Sequence, residues 1–309
     1  MRNPLILFAL LVTALSSRAA GGVFDDAAAW WKLDYANSGS VTSASQIVDS
    51  SVNHRNATSI SNSSVTPEIE LSWTTVPAVG PGGLPAVGPE QRGLRFQPIV
   101  TNAIVGSGVD KYDTVSNATF VVSNFSVSGS ATFMTRFKWD GRITDDDTWA
   151  WLCYNGLNIN QGWLLGFNTA NKLSYYVAGG AGASTSTAFI PGTWYDLAMV
   201  LNDDDGNGKG SVTFYLVPEN GTLITDTAAT NADIRTLSGT TFRIGGEADG
   251  MGTGGNFVKP FSGVIDYIAV WDRALSADEV REAMVPEPST LSLVAGLFLA
   301  VGGLWVRRR

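Results

Sequence analysis

Cysteine and histidine are almost absent from this chain of 309 residues, which has one of each, Cys153 and His54. A single cysteine excludes an intrachain disulfide, and a β domain of this size buries enough apolar surface to do without one. With one histidine, a Ser-His-Asp or Cys-His catalytic set would have to pass through His54, as would any histidine-bound metal. Basic residues are also in short supply, 20 Lys and Arg against 28 Asp and Glu, for a net charge of −8. Arg2, Arg18, Arg307, Arg308 and Arg309 stand at the two ends, so the body of the chain is more acidic still. It carries no basic stripe of the kind that tracks a phosphate backbone, which argues against nucleic acid as a partner. Acidic loops favour solubility or divalent cations instead. No glycine-rich phosphate loop or dinucleotide fingerprint follows a strand and opens a helix.

What the chain has in abundance is alternation. Residues 195–201 place Tyr195, Leu197, Met199 and Leu201 on one face, and residues 211–217 do the same with Val212, Phe214 and Leu216. The Asp-, Asn- and Gly-rich stretch 202–210 accepts positive φ and hydrogen-bonds its own backbone, so the pair is predicted to be a hairpin with a long tip. Further strands are predicted at 94–96, within 119–139, and at 149–154, 162–167 and 172–178. Over 131–139, Phe133, Thr135, Phe137 and Trp139 make an apolar face, and Met134, Arg136 and Lys138 a polar one. Residues 72–93 are rich in Pro and Gly, with PAVGP at 77–81 and again at 85–89. They read as a surface loop, or alternatively as a lid over a binding face. Near the end, Ser276 and Glu279 form a capping box and Leu275 can staple to Val280, which predicts one short helix. Many strands, glycine-rich turns and a single helix indicate an all-β, antiparallel two-sheet sandwich or jelly roll.

Both ends read as addresses. Residues 1–20 combine a basic start, an apolar run and small residues near Ser17 and Ala19, the pattern of a secretory signal peptide. At the other end, residues 285–309 place Pro286, Glu287 and Pro288 before an apolar run, 291–306, and three arginines. Physically this is a stop-transfer design, with the apolar run in the membrane and the arginines on the cytoplasmic side. At ~1.5 Å per residue the run spans about 24 Å, short against a hydrocarbon core of ~30 Å, which suits a transient anchor. The tripartite pattern resembles the PEP-CTERM sorting signal of Gram-negative bacteria. That resemblance implies cutting near Pro286-Glu287-Pro288 by an exosortase-type membrane protease. Release to the cell surface, outer envelope or exopolysaccharide matrix would follow.

Three stretches between the ends resemble laminin-G-like domains of the concanavalin A-like lectin and glucanase type. The first carries Trp30, Trp31, Leu33, Asp49, Ser50 and Asn53, with Val52 where relatives usually have glycine. The second is the 189–217 hairpin with its Gly192-Thr193-Trp194-Tyr195 lead-in. The third carries Phe261, Gly263, Ile265, Asp266, Ile268, Val270 and Trp271, then Arg273-Ala274-Leu275-Ser276. The resemblance implies one concanavalin A-like jelly roll over 23–284 that binds carbohydrate without catalysis. Relatives often hold one calcium ion, and by that analogy Asp49 and Asp266 are possible ligands.

Candidate sites follow from residue chemistry. Trp149, Trp151, Tyr154 and Trp163 cluster near Asn155, Asn158, Asn160 and Gln161, and aromatic faces stack on the C–H faces of sugars. Trp149 and Trp151 would project from one strand face; large aromatics are more often core, so for all four rings core packing is the leading reading and ligand contact the alternative. Asp203, Asp205 and Asn207 have the 1, 3, 5 spacing of a calcium loop, but Phe214 stands where its closing Glu belongs. The alternative is an acidic hairpin tip that resists edge pairing. A glycoside hydrolase needs two carboxylates across the scissile bond. Glu68 and Glu70, or Glu247 and Asp249, have the spacing without a third acid between them. The expectation is therefore an exported, noncatalytic protein of the surface or exopolysaccharide matrix that binds polysaccharide. The alternatives are a structural envelope or matrix protein with protein partners, and a divergent glycoside hydrolase.

Overall fold

The computed structural model describes residues 22–36, 39–61, 71–78, 80–81, 91–97, 119–127, 129–142, 150–158, 161–177, 182–203, 210–229, 241–246 and 261–284. The first strands in chain order are β1 (Ala29–Trp31), β2 (Gly39–Ser40), β3 (Ser59–Ser61), β4 (Leu71–Thr75), β5 (Arg92–Phe96), β6 (Thr119–Ser123), β7 (Ala131–Trp139) and β8 (Ala150–Asn158). They are followed by β9 (Gln161–Phe167), β10 (Lys172–Val177), β11 (Gly182–Ala188), β12 (Trp194–Asn202), β13 (Ser211–Pro218), β14 (Ile224–Ala229), β15 (Thr241–Ile244) and β16 (Gly263–Trp271). One helix, α1 (Ala277–Met284), closes the described chain.

The strands form two antiparallel sheets in a jelly-roll-like sandwich. A nine-stranded sheet runs β14-β13-β12-β7-β16-β5-β4-β2, with β1 also on β16, and a seven-stranded sheet runs β11-β10-β9-β8-β15-β6-β3. The long hairpin forms as the alternation predicts, with β12 and β13 in register from Tyr195↔Pro218 to Asn202↔Ser211. Between the sheets lies one apolar core rich in rings, including Trp31, Phe120, Phe133, Phe137, Phe167 and Phe242. Trp139 stacks on Phe167 at 4.1 Å and 6° between planes, a parallel contact between facing sheets.

Two expectations are corrected by what covers the nine-stranded sheet. The second face of β7, expected to be polar, is buried at Met134 and Arg136, and only Lys138 stays partly exposed. The cover comes from distant sequence, which is why the strand's own pattern does not show it. A 3-10 turn, Val23–Asp26, and α1 pack on this outer face and enclose Met134, Ala198, Tyr267, Trp271 and Leu275. Residues 72–75, read as part of a loop, are strand β4, paired with β5 from Leu71↔Phe96 to Thr75↔Arg92. Beyond β4, Gly80 lies against the Arg136 side chain on the outer face of β7, and residues 82–90 of the expected loop lie outside the described residues.

The two ends of the domain are fastened together on that face. The indole N–H of Trp271 donates to the Val23 carbonyl and to Asp26 Oδ1, both at 3.0 Å. Arg273 grips Asp26 at 2.6 Å and Glu279 at 2.8 Å. The predicted capping box is present: Glu279 N–H donates to Ser276 Oγ at 3.3 Å, and Ser276 N–H to Glu279 Oε2 at 2.7 Å. Bonded to Arg273 and to Ser276, the Glu279 carboxyl is held down to about 2. Leu275 and Val280 are both buried in the same cluster, as the staple requires. Among the described residues no helix is long and apolar enough to cross a membrane. The expected signal peptide 1–20, Pro286-Glu287-Pro288 and the apolar run 291–306 lie outside the described residues.

Candidate functional site

In a strand successive side chains point to opposite faces, so parity decides which residues of the seven-stranded sheet reach its outer surface. Trp163, Leu165 and Phe167 of β9 point into the core, while Leu164 and Gly166 point out. Register then builds two rows across the outer face. One pairs Tyr154 with Leu164 and Leu164 with Tyr176, and the other pairs Trp151 with Gly166, Gly166 with Ser174, and Ser174 with Ser184. Arg243 extends the first row on the far side of Tyr154. A bulge between Trp151 and Cys153 sends Leu152 and Cys153 both inward, so that Trp151 and Tyr154, three apart, share the outer face.

Gly166 makes this arrangement possible. A Cβ there would sit 2.6 Å from Cε3 of Trp151 and 2.5 Å from the Ala150 carbonyl oxygen, so the indole lies over bare backbone. Trp151, Tyr154 and Leu164 pack into one cluster with Tyr176 against it. Trp151 is 5% exposed and Tyr154 2%, whereas Tyr176 is only partly buried. Beside the rings runs a polar ladder: Asn168 Nδ2 donates to Ser174 Oγ at 3.0 Å, and Ser174 and Ser184 share a hydroxyl hydrogen bond of 2.6 Å. Of this face Tyr176, Asn168 and Ser184 keep exposure to water, a ring, an amide and a hydroxyl of the kind that meets the C–H faces and hydroxyls of a sugar.

Of the four aromatics predicted from sequence, this face gathers Trp151 and Tyr154. Trp163 is in the core instead, with ring centroids 6.1 Å from Phe242 and 6.3 Å from Tyr175. Trp149 lies outside the described residues. The sequence reading missed Leu164, Gly166, Ser174, Tyr176 and Ser184. Their available signal was the alternation of Lys172, Ser174 and Tyr176 against Leu173 and Tyr175. It could not show which parity faces out, because both sides carry a tyrosine.

The candidate carboxylates are placed as follows. Asp203 follows β12, its N–H donating to Ser130 Oγ at 3.0 Å, while Asp205 and Asn207 lie outside the described residues. Asp49 organises the turn before β3. Its Oδ1 accepts from Trp30 N–H at 2.7 Å and Ser51 N–H at 2.8 Å, and its Oδ2 from Ser51 Oγ at 2.7 Å and Arg55 N–H at 2.6 Å. Four donors occupy that carboxylate, so its role in the turn is that of a capping group. Asp266 accepts from Arg136 Nη1 at 3.0 Å, and Asp196 accepts from Arg136 Nε at 2.7 Å. Burial drives the Asp266 carboxyl up to about 7 despite the pull of Arg136. Glu68, Glu70, Glu247 and Asp249 lie outside the described residues. Among the described residues, no three His, Cys, Asp or Glu side chains group as metal ligands. His54 is exposed at a turn with φ of 50°, and the Cys153 thiol is buried and pushed up by desolvation, the setting of an inert thiol.

A family model described as the Concanavalin A-like lectin/glucanases superfamily, of laminin G type, matches residues 109–281. No curated protein matches the chain. Among solved structures, the botulinum neurotoxin serotype D/C binding domain is similar at 10% identity and a TM-score of 0.47, over 85% of this chain and 52% of that one. The chain thus spans about half the length of that binding domain. Domain 4 of a GH43 extracellular arabinanase from Geobacillus stearothermophilus, in complex with arabinotriose, is similar at 15% identity and a TM-score of 0.48, over 84% of this chain and 98% of that one. The CBM40 of the Ruminococcus gnavus IT-sialidase, bound to α2,3 sialyllactose, is similar at 20% identity and a TM-score of 0.37, over 51% and 84%.

Proposed function

Because the chain belongs to the concanavalin A-like lectin/glucanases superfamily, we propose that it is a noncatalytic carbohydrate-binding protein of the cell surface or exopolysaccharide matrix. The observation that carries this reading is the outer face of the seven-stranded sheet, where Trp151 lies over Gly166 between Tyr154, Tyr176 and the Ser174–Ser184 ladder. In this reading Tyr176 is the ring that meets a sugar, buttressed from below by Leu164 and Trp151, while Ser184 and its neighbours exchange hydrogen bonds with hydroxyls. The noncatalytic part rests on Asp196 and Asp266. Among the described residues these two carboxylates share the guanidinium of Arg136 and are buried against it, whereas a glycosidase pair must face a substrate and a water. The polypeptide would reach its site by export through residues 1–20, and exosortase-type processing at Pro286-Glu287-Pro288 would release it from a transient membrane anchor. A calcium ion at the Asp203 end of the hairpin would be structural, since it lies on a different element from the ring cluster.

A second reading has its own observation. Every described tryptophan except Trp30 is buried, the pattern of a structural envelope or matrix component that binds proteins. A polysaccharide panel on the full chain, with calcium and with EDTA, separates the two. Carbohydrate binding predicts a specific glycan that Y176A loses at least tenfold while the far-UV spectrum is unchanged, with no new reducing ends on incubation. No bound glycan, or Y176A binding as wild type does, would overturn the assignment to this face.

A further inference from the structure

On the nine-stranded sheet, where β4 pairs with β5, nitrogen donors are left without acceptors. Leu94 and Phe96 of β5 point into the core, and parity puts Arg92 on the same face at the end of the strand. Thr75 stands opposite Arg92 and Trp73 opposite Leu94, so Trp73 and Arg92 are diagonal neighbours on that face, about 7–8 Å apart at Cα. Trp73 is 5% exposed, and its indole N–H meets no acceptor. Arg92 is half-buried, and its Nε is out of water without a partner. Among the described residues its guanidinium forms no ion pair. The chain that leaves β1 closes this corner. Asp34 Oδ1 accepts from the Arg92 backbone N–H at 3.1 Å. Next to it Tyr35, partly exposed, stacks on Trp73 at 5.3 Å and 26° between planes. Leu33 and Gln91, the residues just before Asp34 and Arg92, both hold left-handed backbone, with φ of 52° and 49°. Side chains of this size keep that conformation only where their surroundings enforce it, and such positions gather at ligand sites.

We propose that the corner formed by Tyr35, Trp73 and Arg92 is a second saccharide site, and that it takes a uronic acid, a sugar unit bearing a carboxylate. Water would satisfy an indole N–H, but it leaves a half-buried guanidinium without a counter-charge. The planar fork of Arg92 matches a carboxylate through two parallel N–H···O bonds, and such a charge-assisted pair strengthens where water is partly excluded. The Trp73 N–H then donates to a ring or hydroxyl oxygen of the same unit, and the Tyr35 ring, backed by Trp73, meets its C–H face. Asp34 holds the Arg92 backbone in place through its N–H. The net charge of −8 opposes acidic polymers at long range, so recognition here is local and depends on the guanidinium. The sugar character of the ligand rests on the carbohydrate-binding reading above, whereas its carboxylate rests on Arg92.

Calorimetric titration of the full chain with the trimers of galacturonate, glucuronate and mannuronate, and with each trimer after its carboxyls are reduced to alcohols, tests this. At least one uronate trimer should bind, and its reduced form should bind about tenfold more weakly or worse. R92Q should lose about tenfold or more in affinity for that trimer. W73F, which keeps a ring and removes the N–H, should lose about threefold, with far-UV spectra unchanged in both variants. Y176A, on the outer face of the other sheet, should bind the trimer as wild type does. No binding of any uronate trimer, equal binding of a trimer and its reduced form, or R92Q binding as wild type does overturns the proposal. A neutral glycan that Y176A loses would still stand in each of those cases, so the two sites fail separately. Loss of the trimer in Y176A with R92Q unaffected would place the acidic sugar on the Tyr176 face and overturn the proposal as well. If R92Q fails to fold, the comparison of each trimer with its reduced form on the wild-type chain decides alone.

Discussion

Replacing Arg136 by methionine removes the charge at the centre of the nine-stranded sheet while keeping most of the side-chain volume. The structure supplies the magnitude. Arg136 is the shared donor to Asp196 at 2.7 Å and Asp266 at 3.0 Å, with all three side chains out of water. Taking one partner from a buried ion pair costs about 3–5 kcal/mol, because the charge left behind is neither paired nor hydrated. At about 2–4 °C per kcal/mol for a domain of this size, R136M should lower Tm by roughly 6–20 °C at pH 7.5. The loss should shrink at pH 5, where the two carboxylates can take up protons in place of the missing cation. Adding D196N and D266N to R136M should recover most of the stability, since a fully neutral cluster carries no buried charge. Thermal and urea unfolding of the three proteins at both pH values, with m compared between them, measures each step. A Tm for R136M within about 2 °C of wild type, or a loss that grows on acidification, would refute the electrostatic reading of the cluster.

Three further predictions rest on single contacts. G166V forces a branched side chain into the Ala150 carbonyl and the Trp151 ring, and should cost about 1–3 kcal/mol in urea unfolding and weaken glycan binding together. D49N leaves an amide facing Ser51 Oγ and Arg55 N–H, two donors that need an acceptor, and should destabilise by at least about 2 kcal/mol, read as a lower urea midpoint at constant m. Glu279, held down by Arg273, contributes stability that is present above its unfolded value and lost as pH falls through about 2. E279Q should therefore flatten the part of the stability profile between pH 4.5 and 2 that this carboxylate supplies, and an unchanged slope would count against the capping box as a charged element.

Alternation in the sequence was enough to place the hairpin of β12 and β13, the strands of both sheets' centres and the capped helix, because each of these is specified by residues two to four positions apart. The same local information marked Trp151 and Tyr154 as a candidate binding pair. It favoured core packing for large rings in general, as Trp163 bears out, but could not sort the four rings between core and outer face, since parity fixes which residues share a face and leaves open which face is covered. The rest depended on elements far apart in the chain. Arg136 read as part of a polar face until Gly80 lay against its guanidinium, and Met134 beside it until the turn at Val23–Asp26 and α1 packed on that face. Asp266 reached Arg136 through a bulge that no spacing rule announces. Sequence determined the sandwich and its strands because burial and backbone pairing act along short stretches. Only the tertiary structure decided which polar groups lost their water, because desolvation is set by what other parts of the chain lie on top of them.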